Sequence, residues 1–410
     1  MFGSARSARI MGLGADGVGA EPVQELASNG SVSVTWRHRV HTCRHAFADE
    51  GGALANLLPC DSGPARVLVV LDEGLLKAQP DLPAQISAWS DTHRSLIHAA
   101  GTPLIVPGGE QAKNDRTEFD LVVRAIHERH ICRRSYVLAL GGGAVLDAVG
   151  FAAATAHRGV RLIRMPSTTL AQADAGVGVK NGLNAFGAKN LVGSFAPPWA
   201  VVNDTMLLCT LSERDWRAGL SEAVKVALLK DPSLLDELER TSTALRGRDL
   251  DVMERIVTRT AELHVSHIVA GGDPFELERA RPLDFGHWSA HQLEQMTGFG
   301  LSHGDAVAIG TLIDLQYAAL MLGASAEIPQ RAADCLESLG FPLHCDALGE
   351  EDRLLEGIER FREHLGGSLA ITMVTIPGVS DEVSHIDLDC MRQAIRLTRR
   401  RGADRASRAG

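Results

Sequence analysis

The run Ser-Tyr-Val-Leu-Ala-Leu at 135–140, closed by Gly141-Gly142-Gly143, constrains this chain more than any other stretch. An unbroken apolar run of that length predicts a strand covered on both faces, and so a parallel sheet. The residues behind it, Val145–Ala156, predict a helix. Strand, glycine turn and helix in that order bring bare backbone N–H groups and a positive dipole end together, which suits a pyrophosphate. The turn lacks the Gly-x-Gly-x-x-Gly spacing, so by itself it fits a tight turn equally well.

Similar units flank it. Val32–Val40 alternates like a strand exposed on one face, and Ala65–Leu71 reads as a buried strand ending at Asp72. A helix is predicted over Leu82–Ala99, a strand over Pro103–Val106, a helix over Thr117–His130 and a strand over Val160–Met165. This alternation predicts an α/β fold, with a doubly wound, Rossmann-like domain over 31–205. Such sheets bind ligands beyond the C-terminal ends of their strands, which directs Asp72, Glu110, Lys113 and Gly142 toward one nucleotide. Asp147, Ser167 and Thr168 occupy loop and helix positions suited to ribose and nicotinamide groups.

From 206 to 395 the apolar spacing becomes helical: Trp216–Leu229, Pro232–Thr241, Leu250–His267, His287–Thr297, Ala306–Leu322, Gln330–Leu339 and Asp352–His364, with a strand at Leu369–Ile376. A mainly helical second domain follows, with the active site in the cleft between the two. Residues 1–30, rich in Gly, Ala and Ser, read as a flexible extension, and the Arg-rich 396–410 as a solvated tail. A net charge of -10 argues against a nucleic-acid surface, and no stretch approaches a membrane-spanning length. Seven scattered cysteines without a Cys-x-x-Cys pair fit free thiols, so a cytoplasmic location is expected.

The second half holds the metal-type side chains. His287 and His291 are one helical turn apart on one face, a spacing that serves a metal site or a polar network. His303 lies in a glycine-flanked stretch expected to be a loop, and Glu222 sits in an apolar run, where it needs either a metal or the neighbouring Lys225. One glutamate and two histidines with open positions form a zinc arrangement that polarises a substrate oxygen. Lys180 and Lys189-Asn190, in stretches read as loops, group with Lys225 and Arg158 as a phosphate site or as solvated charge.

Together these residues resemble the sugar phosphate cyclase superfamily, best known through 3-dehydroquinate synthase, over about 65–375. The motifs occur in the family's order: Pro-Gly-Gly-Glu-x-x-Lys (107–113), Gly-Gly-Gly-x-x-x-Asp (141–147), His-Arg-Gly-Val-Arg (157–161), Asp-Ala-Gly-Val-Gly-Val-Lys (174–180), Gly-x-Lys-Asn (187–190), Glu-Ala-Val-Lys (222–225), Phe-Gly-His-x-x-x-His (285–291) and His-Gly-Asp (303–305). The resemblance implies that Glu222, His287 and His303 bind Zn2+ or Co2+. It implies that Asp72, Glu110, Lys113, Gly142, Gly143, Asp147, Ser167, Thr168, Lys189 and Thr210 contact NAD. Asp174, Lys180, Asn190, Lys225 and His291 would line a phosphorylated sugar, with Arg158 reaching the phosphate of a neighbouring subunit in a homodimer. The implied chemistry is oxidation of a hydroxyl, β-elimination of phosphate, return of the hydride, ring opening and aldol closure, with NAD regenerated.

Departures bear on the substrate. His264 and Ala280 stand where a dehydroquinate synthase has a lysine and an arginine for a carboxylate, although Arg279 and Arg281 flank the second position. Asp284 and Ala218 replace usual asparagines, and Phe361-Arg362-Glu363 a usual Asp-Lys-Lys. The motif at 174–180 resembles valiolone-type cyclases, and the stretches Val177–Pro198 and Arg281–Trp288 resemble a dehydroquinate-synthase-like branch encoded in ebo-type operons. The expectation is therefore a cyclase acting on sedoheptulose 7-phosphate, with a true 3-dehydroquinate synthase or a glycerol-dehydrogenase-type alcohol dehydrogenase as alternatives.

Overall fold

The computed structural model describes residues 33–48, 52–59, 63–271, 275–276 and 282–409, so the expected extension at 1–30 lies outside the described residues. Arg37–Gly410 group into one compact unit, and the chain through Trp36 forms a second, of which 33–36 carry no regular secondary structure. The strands are β1 (Val40–Cys43), β2 (Ala65–Asp72), β3 (Ile97–Ala99), β4 (Leu104–Val106), β5 (Tyr136–Gly141), β6 (Arg161–Pro166), the hairpin β7 (Lys180–Ala185) and β8 (Ala188–Phe195), and β9 (Ala200–Asp204). Among the described residues, all but the hairpin form a seven-stranded parallel sheet in the order β1-β9-β6-β5-β2-β3, with β4 also pairing β2.

Helices α1 (Ala53–Asn56), α2 (Glu73–Ala78), α3 (Leu82–Thr92), α4 (Thr117–Glu128) and α5 (Gly143–Thr155) alternate with these strands. Val67, Val69 and Leu71 of β2 pack with Ile86 and Trp89 of α3, whereas Leu68 and Val70 pack with Val122 and Ile126 of α4 and with α5. Alternate side chains thus meet apolar partners on both faces, which is why β2 and β5 are unbroken apolar runs.

Beyond Asp204 the chain is helical: α6 (Glu213–Lys230), α7 (Pro232–Arg246), α8 (Leu250–Ala270), α9 (His287–Met296), α10 (His303–Met321), α11 (Glu327–Ser338) and α12 (Glu351–His364). The hairpin of β10 (Ile371–Ile376) and β11 (Val379–Val383) then leads to α13 (Leu388–Ala409). Leucines of α6 and α7 pack with Met253 and Ile256 of α8 and Leu312 of α10 as a second core. Among the described residues, no helix is long and apolar enough to cross a membrane.

Four expectations need correction. The edge strand expected at Val32–Val40 begins only at Val40, which pairs with Val201; at that parallel register Arg37 would face Pro198, which has no N–H for a ladder. The helix expected over Leu82–Ala99 ends at Thr92, since Ile97–Ala99 is drawn into the sheet beside Ala65–Val67. The stretches carrying Lys180 and Lys189-Asn190 are strands β7 and β8 rather than loops. The tail expected at 396–410 continues α13 to Ala409, held by the buried stripe Met391, Ala394, Ile395 and Thr398 and by Arg401, 3.0 Å from Glu337.

Candidate active site

Helix α6 carries the first donor. Ser212 caps it by accepting from Asp215 N at 3.1 Å, and Glu213 and Asp215 occupy the first turn, where the helix dipole favours acids. Its residues 218–229 are buried throughout, so Glu222 and Lys225 enter the interior without water. Gly219 brings the helix against the turn that holds Asp174: its N–H donates to Thr169 Oγ1 at 3.0 Å, and an added Cβ would lie 2.4 Å from the Thr169 carbonyl carbon.

Helix α9 starts at His287 because Gly286 adopts φ 78, a left-handed value that favours glycine. The same Gly286 donates its N–H to Asp314 Oδ2 at 2.8 Å, and Trp288 Nε1 donates to Oδ1 at 2.8 Å. Burial drives the Asp314 carboxyl up to about 7 against the pull of those donors. His303, expected in a loop, is instead the first residue of α10, with Ser302 as its cap.

These three helix segments converge. Nε2 of His287 and Nε2 of His303 each lie 3.6 Å from Glu222 Oε1, and one donor atom from each of the three residues falls within 4.8 Å of the others. Glu222 Oε1 is buried without a hydrogen-bond partner among the described residues, while Oε2 is 2.5 Å from Lys225 Nζ. His287 Nδ1 donates to the Phe285 carbonyl at 3.1 Å, which leaves Nε2 as an acceptor. A buried carboxylate oxygen facing two imidazole nitrogens fits a zinc- or cobalt-type ion with open positions.

Charge in this centre is tightly coupled. Burial raises the Glu222 carboxyl, but Lys225 and then the histidines outweigh it and hold it at about 2. Burial, reinforced by Lys225, lowers His287 to about 4. His303 is pushed up to about 10, since Glu294 and Glu222 overcome the opposing effect of burial. Asp174 sits well below the ordinary range despite burial, held there by Lys225 and by His264, whose Nδ1 is 3.0 Å away. Asp284 lies in the 3-10 turn Pro282–Asp284 and supports the charge on Lys225.

The predicted nucleotide residues gather at the ends of β2, β5 and β6. Asp72 caps α2 by accepting from Gly74 N at 2.7 Å, and Gly142 and Gly143 open α5. Ser167 N donates to the Gly141 carbonyl at 2.9 Å, and Thr168 Oγ1 accepts from Ala171 N at 3.1 Å. Lys113 is buried, 2.7 Å from Asp147 Oδ2, and also bonds Asn190. Asn184 donates to Glu110 at 2.8 Å and accepts from Asn190 N at 2.9 Å.

Three predicted residues stand apart from this network. Lys180 pairs with Glu276 at 2.5 Å. Thr210 is exposed in the turn before α6, and Arg158 is exposed with φ 60. Arg279, Ala280 and Arg281 lie outside the described residues.

Sequence reasoning missed Glu294, which accepts from His291 Nδ1 at 3.1 Å, His303 Nδ1 at 3.4 Å and Lys189 Nζ at 3.0 Å. Its spacing, three residues after His291 and seven after His287 on one helix, was the available signal. Glu276, Asn184 and Asp314 were missed too, and nothing in their local sequence sets them apart.

Comparison with known proteins agrees with this geometry. Residues 103–218 match the 3-dehydroquinate synthase N-terminal family and 219–363 the 3-dehydroquinate synthase C-terminal family. A 3-dehydroquinate synthase of Geobacter metallireducens is 39% identical over 260 residues, 63% of this chain and 71% of that protein. A 2-epi-valiolone synthase of Actinosynnema mirum is 35% identical over 272 residues, 65% of this chain and 70% of that protein. The structure of a 2-epi-5-epi-valiolone synthase from Streptomyces hygroscopicus subsp. jinggangensis, with NAD+ and Zn2+ bound, superposes with a TM-score of 0.81 at 25% identity, covering 90% of this chain and 99% of that one.

Proposed function

This chain belongs to the 3-dehydroquinate synthase family of sugar phosphate cyclases, and from that premise we propose that it converts sedoheptulose 7-phosphate into a valiolone-type cyclitol, using NAD and a divalent metal ion, zinc or cobalt. When bound, the metal would polarise adjacent substrate hydroxyls and NAD would accept and return a hydride. Residues 31–205 serve as the NAD half and 206–395 as the metal and substrate half of a cytosolic homodimer.

The chain's own residues divide the work. Glu222, His287 and His303 hold the metal, and the N–H groups at Gly142 and Gly143 face the cofactor pyrophosphate. Lys225 and Asp174 hold substrate hydroxyls, flanked by Asn190, Asp284 and His291. The side chain of Lys180 is 56% exposed, so its pair with Glu276 is weak enough to exchange for a phosphate. Arg158, projecting into solvent, completes the phosphate site of the neighbouring protomer.

The observation that carries the choice of substrate is the His264–Asp174 pair, 3.0 Å apart, at the place where family resemblance puts a carboxylate-binding lysine. Lys225, Lys189 and Lys113 are each held by an acid as well. A substrate carboxylate would therefore be buried without a dedicated cation, at a cost of several kcal/mol, whereas a neutral ketose headgroup has no such requirement. Arg279 and Arg281 are the residues that favour a true dehydroquinate synthase instead.

Incubation of the NAD- and cobalt-loaded enzyme with sedoheptulose 7-phosphate tests the reaction class. Inorganic phosphate released in step with a carbocycle, with no net NADH, is the expected result. Stoichiometric NADH without phosphate would make the protein a dehydrogenase of the glycerol dehydrogenase type.

A further inference from the structure

Glu294 is a buried carboxylate with three donors, His291, His303 and Lys189, each from a different element or turn of the site. It projects from α9 with its side chain 5% exposed. Its Oε2 faces Nδ1 of His291 at 3.1 Å and Nδ1 of His303 at 3.4 Å, and its Oε1 faces Lys189 Nζ at 3.0 Å. The two imidazoles stack beside this oxygen, with ring centroids 5.7 Å apart and planes 28° apart.

We infer that Glu294 is a positioning residue that fixes the orientation and tautomer of His303 on the metal side and His291 on the substrate side, and ties both to the cofactor side through Lys189. An ionised carboxylate only accepts hydrogen bonds, so each Nδ1 that faces it must carry hydrogen. When such a ring is neutral, Nε2 is the nitrogen left to act as an acceptor. For His303 that is the atom 3.6 Å from Glu222 Oε1, the one that must be bare to bind an ion. For His291, whose side chain is 43% exposed, Nε2 becomes an acceptor toward a substrate hydroxyl. Without Glu294 either nitrogen of each ring can take the proton, and each ring can turn over. Lys189 comes from β8, so the same carboxylate also joins the cofactor-side hairpin to α9 and α10.

The inference rests on the metal reading of Glu222, His287 and His303, and the test separates the two. Imidazole 15N NMR of the full chain, metal-free and zinc-loaded, reports which ring nitrogens carry hydrogen, with His291 and His303 assigned by single substitutions. Hydrogen on Nδ1 of both rings is expected in both states. A bare Nδ1 on either ring overturns the inference. Chelator competition is then expected to show Co2+ affinity falling about 10–100-fold in Glu294→Gln, the range found when a carboxylate behind a metal-bound histidine is lost. Unchanged affinity in a folded Glu294→Gln protein also overturns it. Failure of the wild type to bind Co2+ would refute the metal reading, while the nitrogen that carries hydrogen on metal-free His291 would still decide the role of Glu294. Should Glu294→Gln not fold, the wild-type tautomers decide alone.

Discussion

Glu222 has given up water on both oxygens; Lys225 lies 2.5 Å from one, and the other meets only imidazole nitrogens at 3.6 Å, without a hydrogen bond among the described residues. A side chain in that state is held for something it binds, and here two imidazole nitrogens share the face of the open oxygen. His287→Ala and His303→Ala are therefore expected to lose metal while keeping the fold, checked by metal analysis after dialysis beside circular dichroism. Stoichiometric zinc or cobalt in both variants would place the ion elsewhere. Glu222→Ala should also lose metal, but with a stability cost of about 3–5 kcal/mol, because buried Lys225 loses the carboxylate 2.5 Å from its ammonium. Arg164 supplies a prediction remote from the metal: it is fully buried and donates to the carbonyls of Ala175, Gly176, Gly178 and Lys180 and to Asn181. Arg164→Met strands those acceptors and should destabilise by at least ~3 kcal/mol in urea unfolding. Asp314 gives a pH signature. Its folded carboxyl titrates near 7 against an ordinary value of 3.8, so stability present below pH 3.8 is lost as pH rises to about 7 and is level above that. A pH series of thermal melts should show that decline in the wild type and a flatter one in Asp314→Asn.

Among the elements, the joint between α6 and the turn carrying Asp174 leaves no room for a side chain. Gly219→Ala would drive a methyl group into the backbone of Thr169, so a loss of about 1–3 kcal/mol is expected in denaturant unfolding, with KM rising as Asp174 moves. Normal stability and normal KM would show that the joint is soft. Elements whose pattern is set by burial were legible in the sequence: β2 and β5 as apolar runs, and α6 and α8 by helical spacing. The hairpin of β7 and β8 was not, because it pairs with itself outside the main sheet and its polar, glycine-bearing strands lack clean alternation. The continuation of α13 past residue 396 was hidden by Arg399 and Arg400, exposed beside a narrow buried stripe of Met391, Ala394, Ile395 and Thr398. The cluster of Glu222, His287 and His303 was legible because α9 sets His287 and His291 at helical spacing, and the motif order brought in Glu222 and His303. Glu294 acquires its role only when α9, α10 and β8 meet, so its own neighbours in sequence could announce no more than a helical face.

At the scale of the whole molecule, the parallel sheet sets a cofactor cradle at its strand ends, and the helical half brings three donors and a buried lysine up to it. Relatives named for different products share this plan, and on the proposed reading the choice of substrate falls to the few side chains around Asp174. His264, paired with Asp174, stands where the family resemblance puts a carboxylate-binding lysine, which is the basis for expecting a ketose without a carboxylate. The most direct measurement supplies the NAD- and cobalt-loaded enzyme with sedoheptulose 7-phosphate and, separately, with the carboxylate-bearing heptulosonate phosphate, and identifies each product by mass spectrometry. Turnover of the ketose to a valiolone-type carbocycle, with the heptulosonate converted poorly or not at all, is the expected result; efficient formation of dehydroquinate from the heptulosonate with no turnover of the ketose would contradict it.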